Sequence, residues 1–194
     1  MDSQKWVQAL QTLARMVFER SKMNGTEPCL RSDILAKLGI DESCHVVDSN
    51  FHTTLDDLSD EIILSDDTIV LLDHAHVQRD QKFKYTGSRH AIALTSSGNG
   101  IAGCDETFHV DRMQLCLLDH VLYSPHRKVD GDERLRILER FGSDLSKYPK
   151  LTLNDPVVRF FGWSVNTLVE ISVNDVPDDM HKQKYRVVWK VDDV

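Results

Sequence analysis

No run in this chain approaches the ~18 consecutive apolar residues of a membrane-spanning helix. Met1–Trp6 has no apolar core behind it, so no signal peptide is expected and the chain reads as soluble and intracellular. Cysteine is scarce and badly spaced for chemistry. Cys29, Cys44, Cys104 and Cys116 form no CxxC pair, which excludes a zinc ribbon and a thioredoxin-type motif and leaves buried reduced thiols. Cys104/His109 and Cys116/His120 would each need two further ligands in close register, so no metal centre is expected. His74 and His76 read as the exposed end of a strand.

Catalytic signatures are absent too. There is no GxSxG, no HExxH, no Walker loop and no Gly-rich turn between a strand and a helix. Ser97-Gly98-Asn99-Gly100 is a loop without a phosphate-binding pattern, and the acidic pairs Asp56-Asp57 and Asp66-Asp67 read as a solvated face. The chain is therefore expected to be no enzyme, with no cofactor and no small-molecule substrate. A basic surface is missing as well: 23 Lys and Arg against 31 Asp and Glu give a net charge of −8. Tight independent binding of nucleic acid rests on neutralised phosphates and is not expected, leaving only weak contact at one edge inside a larger basic assembly.

What is present is an ordinary globular composition, 41% apolar and 28% charged. The charge is unevenly spread. Ser124 to the end holds 12 basic and 12 acidic residues, so residues 1–123 hold 11 and 19 and carry the whole −8. Residues 41–80 alone contain eleven Asp and Glu and one basic residue, Arg79. With the Ser124-Pro125 break, this shift predicts two domains, 1–123 and 124–194.

In the first domain, Asp2 or Ser3 can cap a helix whose Trp6, Leu10, Leu13 and Val17 form one apolar stripe, ended by Asn24-Gly25. Ser32 or Asp33 starts a short second helix through Ile34, Leu35 and Leu38. Ile69–Leu72 and Ala91–Leu94 are continuous apolar runs of the kind found in buried strands. Residues 55–67 read as an acidic loop, and Val110, Met113, Leu117 and Val121 as a further helical stripe. The order predicts an α/β layer domain.

In the second domain, Asp130 or Asp132 can cap a helix carrying Leu135, Leu138 and Phe141 and closed by Gly142. Leu168–Val173 and Tyr185–Val191 alternate as antiparallel strands, with a polar loop over Asn174–Lys184. About 70 residues make a marginal core, and a domain this small commonly leans on a partner. The expected fold class is thus α+β: an N-terminal α/β domain followed by a small α+β domain with a mixed sheet.

The most distinctive string is Asp155-Pro156-Val157-Val158-Arg159-Phe160-Phe161-Gly162. Asp155 caps a short helix, Pro156 sits at its first position, Arg159 can pair with Asp155 at i,i+4, and Gly162 suits a left-handed end. Val158 and Phe161 are expected in the core. Adjacent Phe160 and Phe161 cannot both face one narrow stripe, so one is expected exposed or covered by another chain.

This string resembles the Asp-Pro-Val-Ala-Arg-Tyr-Tyr-Gly of the H-type family of cellular RNA polymerase subunits, which comprises an archaeal member and the fifth subunit shared by eukaryotic polymerases. Thr167–Ile171 is similar to the family's following strand, and Tyr148-Pro149-Lys150-Leu151 to its Leu-Pro-Arg/Lys-Ile. Asp119-His120-Val121-Leu122-Tyr123-Ser124-Pro125-His126 resembles its Glu-His-x-Leu-Val-Pro-x-His, with both histidines at their spacing and the proline one position late. Tyr185-Arg186-Val187-Val188 resembles its closing strand. The family's Ser-Glu-Thr-Ala-Gly-Arg-Tyr signature is replaced by Asn174–Lys184.

The resemblance implies a non-catalytic polymerase subunit. Its C-terminal domain docks on the largest subunit alongside other polymerase subunits, and its jaw-like N-terminal domain lies near downstream DNA, in weak contact with it. Docking is implied at His120, His126, Pro149, Asp155, Pro156, Val157, Arg159, Phe160, Phe161, Gly162, Tyr185 and Arg186. It implies a nuclear location, nucleolar for polymerase I, and cytoplasm or virion for a viral homologue. The rival reading is a free-standing regulatory module that shares the C-terminal fold and binds proteins through its acidic N-terminal domain.

Overall fold

Helix α1, Ser3–Asn24, runs for 22 residues, about 33 Å at the usual rise. Trp6, Leu10, Leu13 and Val17 are all buried, as their spacing predicts, and Ala9, Ala14 and Met16 join them. A helix buried over so much of its circumference is a central element rather than a surface one. The computed structural model describes residues 3–24, 61–63, 68–73, 85–96, 101–172 and 183–190. The expected helix at 33–38, His74 and His76, and the 97–100 loop lie outside them.

The chain divides into two compact units, Met1–Cys116 and Leu117–Val194, a division ahead of the expected joint at residue 123. In the first, strands β1 (Glu61–Ile63), β2 (Thr68–Asp73), β3 (His90–Thr95) and β4 (Glu106–His109) form one sheet in that order. β1 runs antiparallel to β2, while β2, β3 and β4 are parallel. The two apolar runs are β2 and β3, buried from Ile69 to Leu72 and from Ala91 to Leu94, as expected of parallel strands covered on both faces. At residues 61–63, β1 corrects the reading of 55–67 as a loop, the rest of that segment lying outside the described residues. Its three residues are too short for a period-2 signal, and only their pairing with β2 defines them as a strand.

The helix expected over Val110–Val121 is not formed. Two 3₁₀ turns, Val110–Met113 and Leu117–Asp119, take its place, and Val121 is 92% exposed. Side chains compete with the backbone here. The Gln114 amide donates to the carbonyls of Val110 and Lys5, at 2.7 and 2.8 Å, and His120 Nδ1 accepts the Leu122 N–H at 3.1 Å.

Polar contacts fasten α1 at both ends. Lys5 meets Asp111 at 3.0 Å, and Arg20 holds Glu106 of β4 through two bonds of 2.5 and 2.8 Å. Burial alone would raise the Glu106 pKa, but the Arg20 hydrogen bonds and charge, followed by His90 at 2.9 Å, hold it below the ordinary value. A carboxylate with a depressed folded value stabilises above its unfolded value, about 4.3, and loses that contribution as pH falls through the folded one. Arg20→Ala should therefore cost about 1.5–3 kcal/mol at pH 7, and the gap to the parent should be narrower at pH 3. Urea unfolding followed through Trp6 checks this; a gap equal at both pH values would contradict it.

In the second unit, strands β5 (His126–Lys128), β6 (Lys150–Thr152), β7 (Leu168–Ser172) and β8 (Gln183–Trp189) form a mixed sheet in the order β5-β7-β8-β6. β7 and β8 are antiparallel as predicted, β5 is antiparallel to β7, and β6 is parallel to β8. Alternation gives the sheet two faces. Leu168 and Val187 meet Val129, Tyr148 and Ile137 of helix α2, Gly131–Phe141. Val169 and Val188 meet Leu151, Trp163 and Val158 of helix α3, Pro156–Phe161.

The buried stripe of α2 differs from expectation. Leu135 and Phe141 are 59% and 54% exposed, while Ile137 is buried and Leu138 half-buried. Steps of three residues drift backwards by about 60° each. The inner face follows Arg134, Ile137 and Leu138 instead, leaving Leu135 on the outside.

Candidate docking recess

Helix α3 is built as its sequence dictates. The Asp155 Oδ1 accepts the backbone N–H groups of Val157 and Val158, at 2.8 and 3.3 Å, and Pro156 occupies a first-turn position where no N–H is needed. Gly162 adopts φ 66°, ψ 32°, and its N–H returns to the helix carbonyls, a conformation that penalises side chains with a Cβ. The aromatic pair is arranged differently from the expectation that Phe161 enters the core and its neighbour stays outside. Phe160 is the buried ring, 4% exposed, and Phe161 is half-buried. Phe161 lies flat on Trp163 with centroids 4.8 Å apart, and Phe160 meets it edge-on at 5.2 Å.

Six residues of α3 are too few to cover the whole sheet face, and a recess of about 510 Å³ opens beside it. His126 on β5 lies opposite Ile171 on β7, which lies opposite Lys184 on β8. These side chains form one row across three strands, with Arg186 two residues further along β8 on the same face. Leu151 and Val157 give the recess an apolar floor with Ile171, while Leu117, His120, Leu122, Tyr123 and Ser124 form its wall. Asp155 is its one carboxylate among the lining residues.

The two histidines are fastened by opposite tautomers. His126 Nδ1 lies 2.6 Å from the Ser124 carbonyl, which can only accept, so Nδ1 carries the proton and Nε2 remains as an acceptor. His120 Nδ1 accepts from Leu122, so its Nε2 is a donor. The His126 ring also stacks on Tyr123 with centroids 5.7 Å apart. Each imidazole thus secures its own loop and keeps one nitrogen for other chemistry.

Of the residues singled out in the sequence, His120, His126, Asp155, Val157 and Arg186 line this recess. Pro156, Arg159, Phe160, Phe161 and Gly162 build the helix beside it. Pro149 accepts the Val187 N–H at 2.9 Å and sets β6 alongside β8, and Tyr185 packs on the opposite sheet face. Sequence reasoning missed Ile171 and Lys184. Their period-2 positions on β7 and β8 carried the signal, but only the strand register aligns them with His126. Residues 174–182 of the segment that replaces the family signature lie outside the described residues.

A family model described as RNA polymerase Rpb5, C-terminal domain, matches residues 115–188. DNA-directed RNA polymerase subunit Rpo5 from Methanococcus vannielii is 34% identical over 53 residues, 27% of this chain and 68% of that protein. DNA-directed RNA polymerases IV and V subunit 5B from Arabidopsis thaliana is 24% identical over 76 residues, 39% of this chain and 35% of that protein. The matched region thus spans about two-thirds of the archaeal relative and about a third of the plant one. With its capped Asp155–Gly162 helix, mixed sheet and paired histidines lying within the matched region, this chain belongs to the Rpb5/Rpo5 family of RNA polymerase subunits.

Proposed function

We propose that the chain is a non-catalytic subunit of a multisubunit DNA-directed RNA polymerase. In this reading the Leu117–Val194 unit docks on the largest subunit, and the N-terminal unit forms part of a jaw near downstream DNA. The observation that carries the reading is the family match over residues 115–188, which takes in nearly all of the unit containing the recess. The chain contributes assembly and geometry, and its location is that of the polymerase, the nucleus in a eukaryotic cell. The −8 charge, held in residues 1–123, favours DNA contact only inside the complex.

Affinity purification of the tagged chain tests this. Two very large polymerase subunits should travel with it in stoichiometric amounts, and residues 117–194 should retain them while residues 1–116 do not. A chain that elutes without polymerase subunits favours a free-standing module instead. Retention by 1–116 alone overturns the docking assignment.

A further inference from the structure

We infer that the recess beside α3 receives an acidic, apolar-anchored segment of a partner polypeptide, an inference that rests on the docking reading and specifies its chemistry. The floor is apolar, with Ile171, Leu151 and Val157 side by side, and the strand ends around it are cationic. Lys184 and Arg186 are exposed and stand on the same sheet face. The Arg186 guanidinium meets a neutral group, the Lys150 carbonyl, at 3.3 Å, so that contact leaves its charge available. His126 completes the row, its ring held by Nδ1 on the Ser124 carbonyl.

Against these cations the described lining residues set a single carboxylate, and its Oδ1 is engaged. Asp155 Oδ1 already accepts two backbone N–H groups of α3. Among the described lining residues, Lys184 and Arg186 thus stand ready for negative charge at the rim of an apolar patch. Leu122, 82% exposed on the wall, extends that patch. A carboxylate-bearing peptide with one or two large apolar side chains satisfies both halves: its aliphatic groups cover Ile171 and Leu122 while its acids meet Lys184 and Arg186. A nucleic-acid backbone satisfies only the cations and leaves the apolar floor uncovered, so the mixed lining favours the peptide.

Fluorescence anisotropy on the full chain tests the chemistry directly. The probe is a labelled peptide of about twelve residues alternating Leu and Glu, with a Leu/Lys peptide and a single-stranded DNA of similar charge as controls. The Leu/Glu peptide should bind, the Leu/Lys peptide should not, and Lys184→Glu with Arg186→Glu should weaken binding about tenfold or more. Circular dichroism of the double variant should remain that of the parent, since both side chains are exposed. Equal binding of both peptides, or DNA binding as tight as the acidic peptide, overturns the inference.

The same double variant, tagged, separates this inference from the docking reading. Wild-type chain that captures the large polymerase subunits while the variant loses them supports both. Capture by both proteins alike sinks the recess and leaves docking intact. A wild-type chain that captures none sinks docking, and the peptide titration still decides the recess.

Discussion

Replacing Phe160 with alanine is expected to destabilise the Leu117–Val194 unit by about 3–5 kcal/mol, and Phe161→Ala by only about 1–2 kcal/mol. The two rings are chain neighbours on a six-residue helix, so their side chains leave it about 100° apart. Phe160 is 4% exposed and its removal empties a fully enclosed site. Phe161 keeps one side towards solvent and covers Trp163, so its loss sacrifices a stacked pair and partial burial. A unit this short has a total stability of about 4–12 kcal/mol, and Phe160→Ala therefore brings it close to unfolding. Phe160→Leu fills most of the volume and should keep the unit folded at a smaller loss. Urea unfolding of the three variants gives the ranking. A larger loss at Phe161 than at Phe160 would show that the helix presents its other side to the core.

Much of this architecture could be read from local sequence, because local physics decides it. The α1 stripe, the two apolar runs of the parallel sheet and the Asp155–Gly162 helix depend on period, burial and capping within a few residues. Three-residue β5 and β6 carry no such signal; their neighbours across the sheet define them. The helix expected at 110–121 failed for a different reason. Its apolar spacing is sound, but Gln114 and His120 satisfy the backbone groups that a continuous helix needs. The recess lies between these cases. His120, His126 and Arg186 were singled out by their motifs, whereas their gathering around Ile171 depends on which residues of β5, β7 and β8 face one another.

That same register brings a charged pair into the opposite face, where Arg127→Ala is expected to cost about 2–3 kcal/mol. Arg127 on β5 lies directly across from Glu170 on β7. Its Nη2 donates to Glu170 at 2.6 Å, and the guanidinium also grips Glu133 of α2 through bonds of 2.7 and 2.8 Å. Glu170 is 5% exposed, so its carboxylate has given up hydration that this arginine partly replaces. Removing one partner of a fully buried pair costs about 3–5 kcal/mol; Arg127 is half-exposed, which lets water reach the stranded charge and lowers the figure. Glu133→Ala removes an exposed partner and should cost far less than Arg127→Ala. The diagnostic variant joins Arg127→Ala to Glu170→Gln. A neutral amide in place of the carboxylate removes the stranded charge, so the double variant should unfold at higher urea than Arg127→Ala alone. Should the two unfold together, the loss at Arg127 comes from its bridge to α2, and the buried carboxylate is stabilised by the sheet itself.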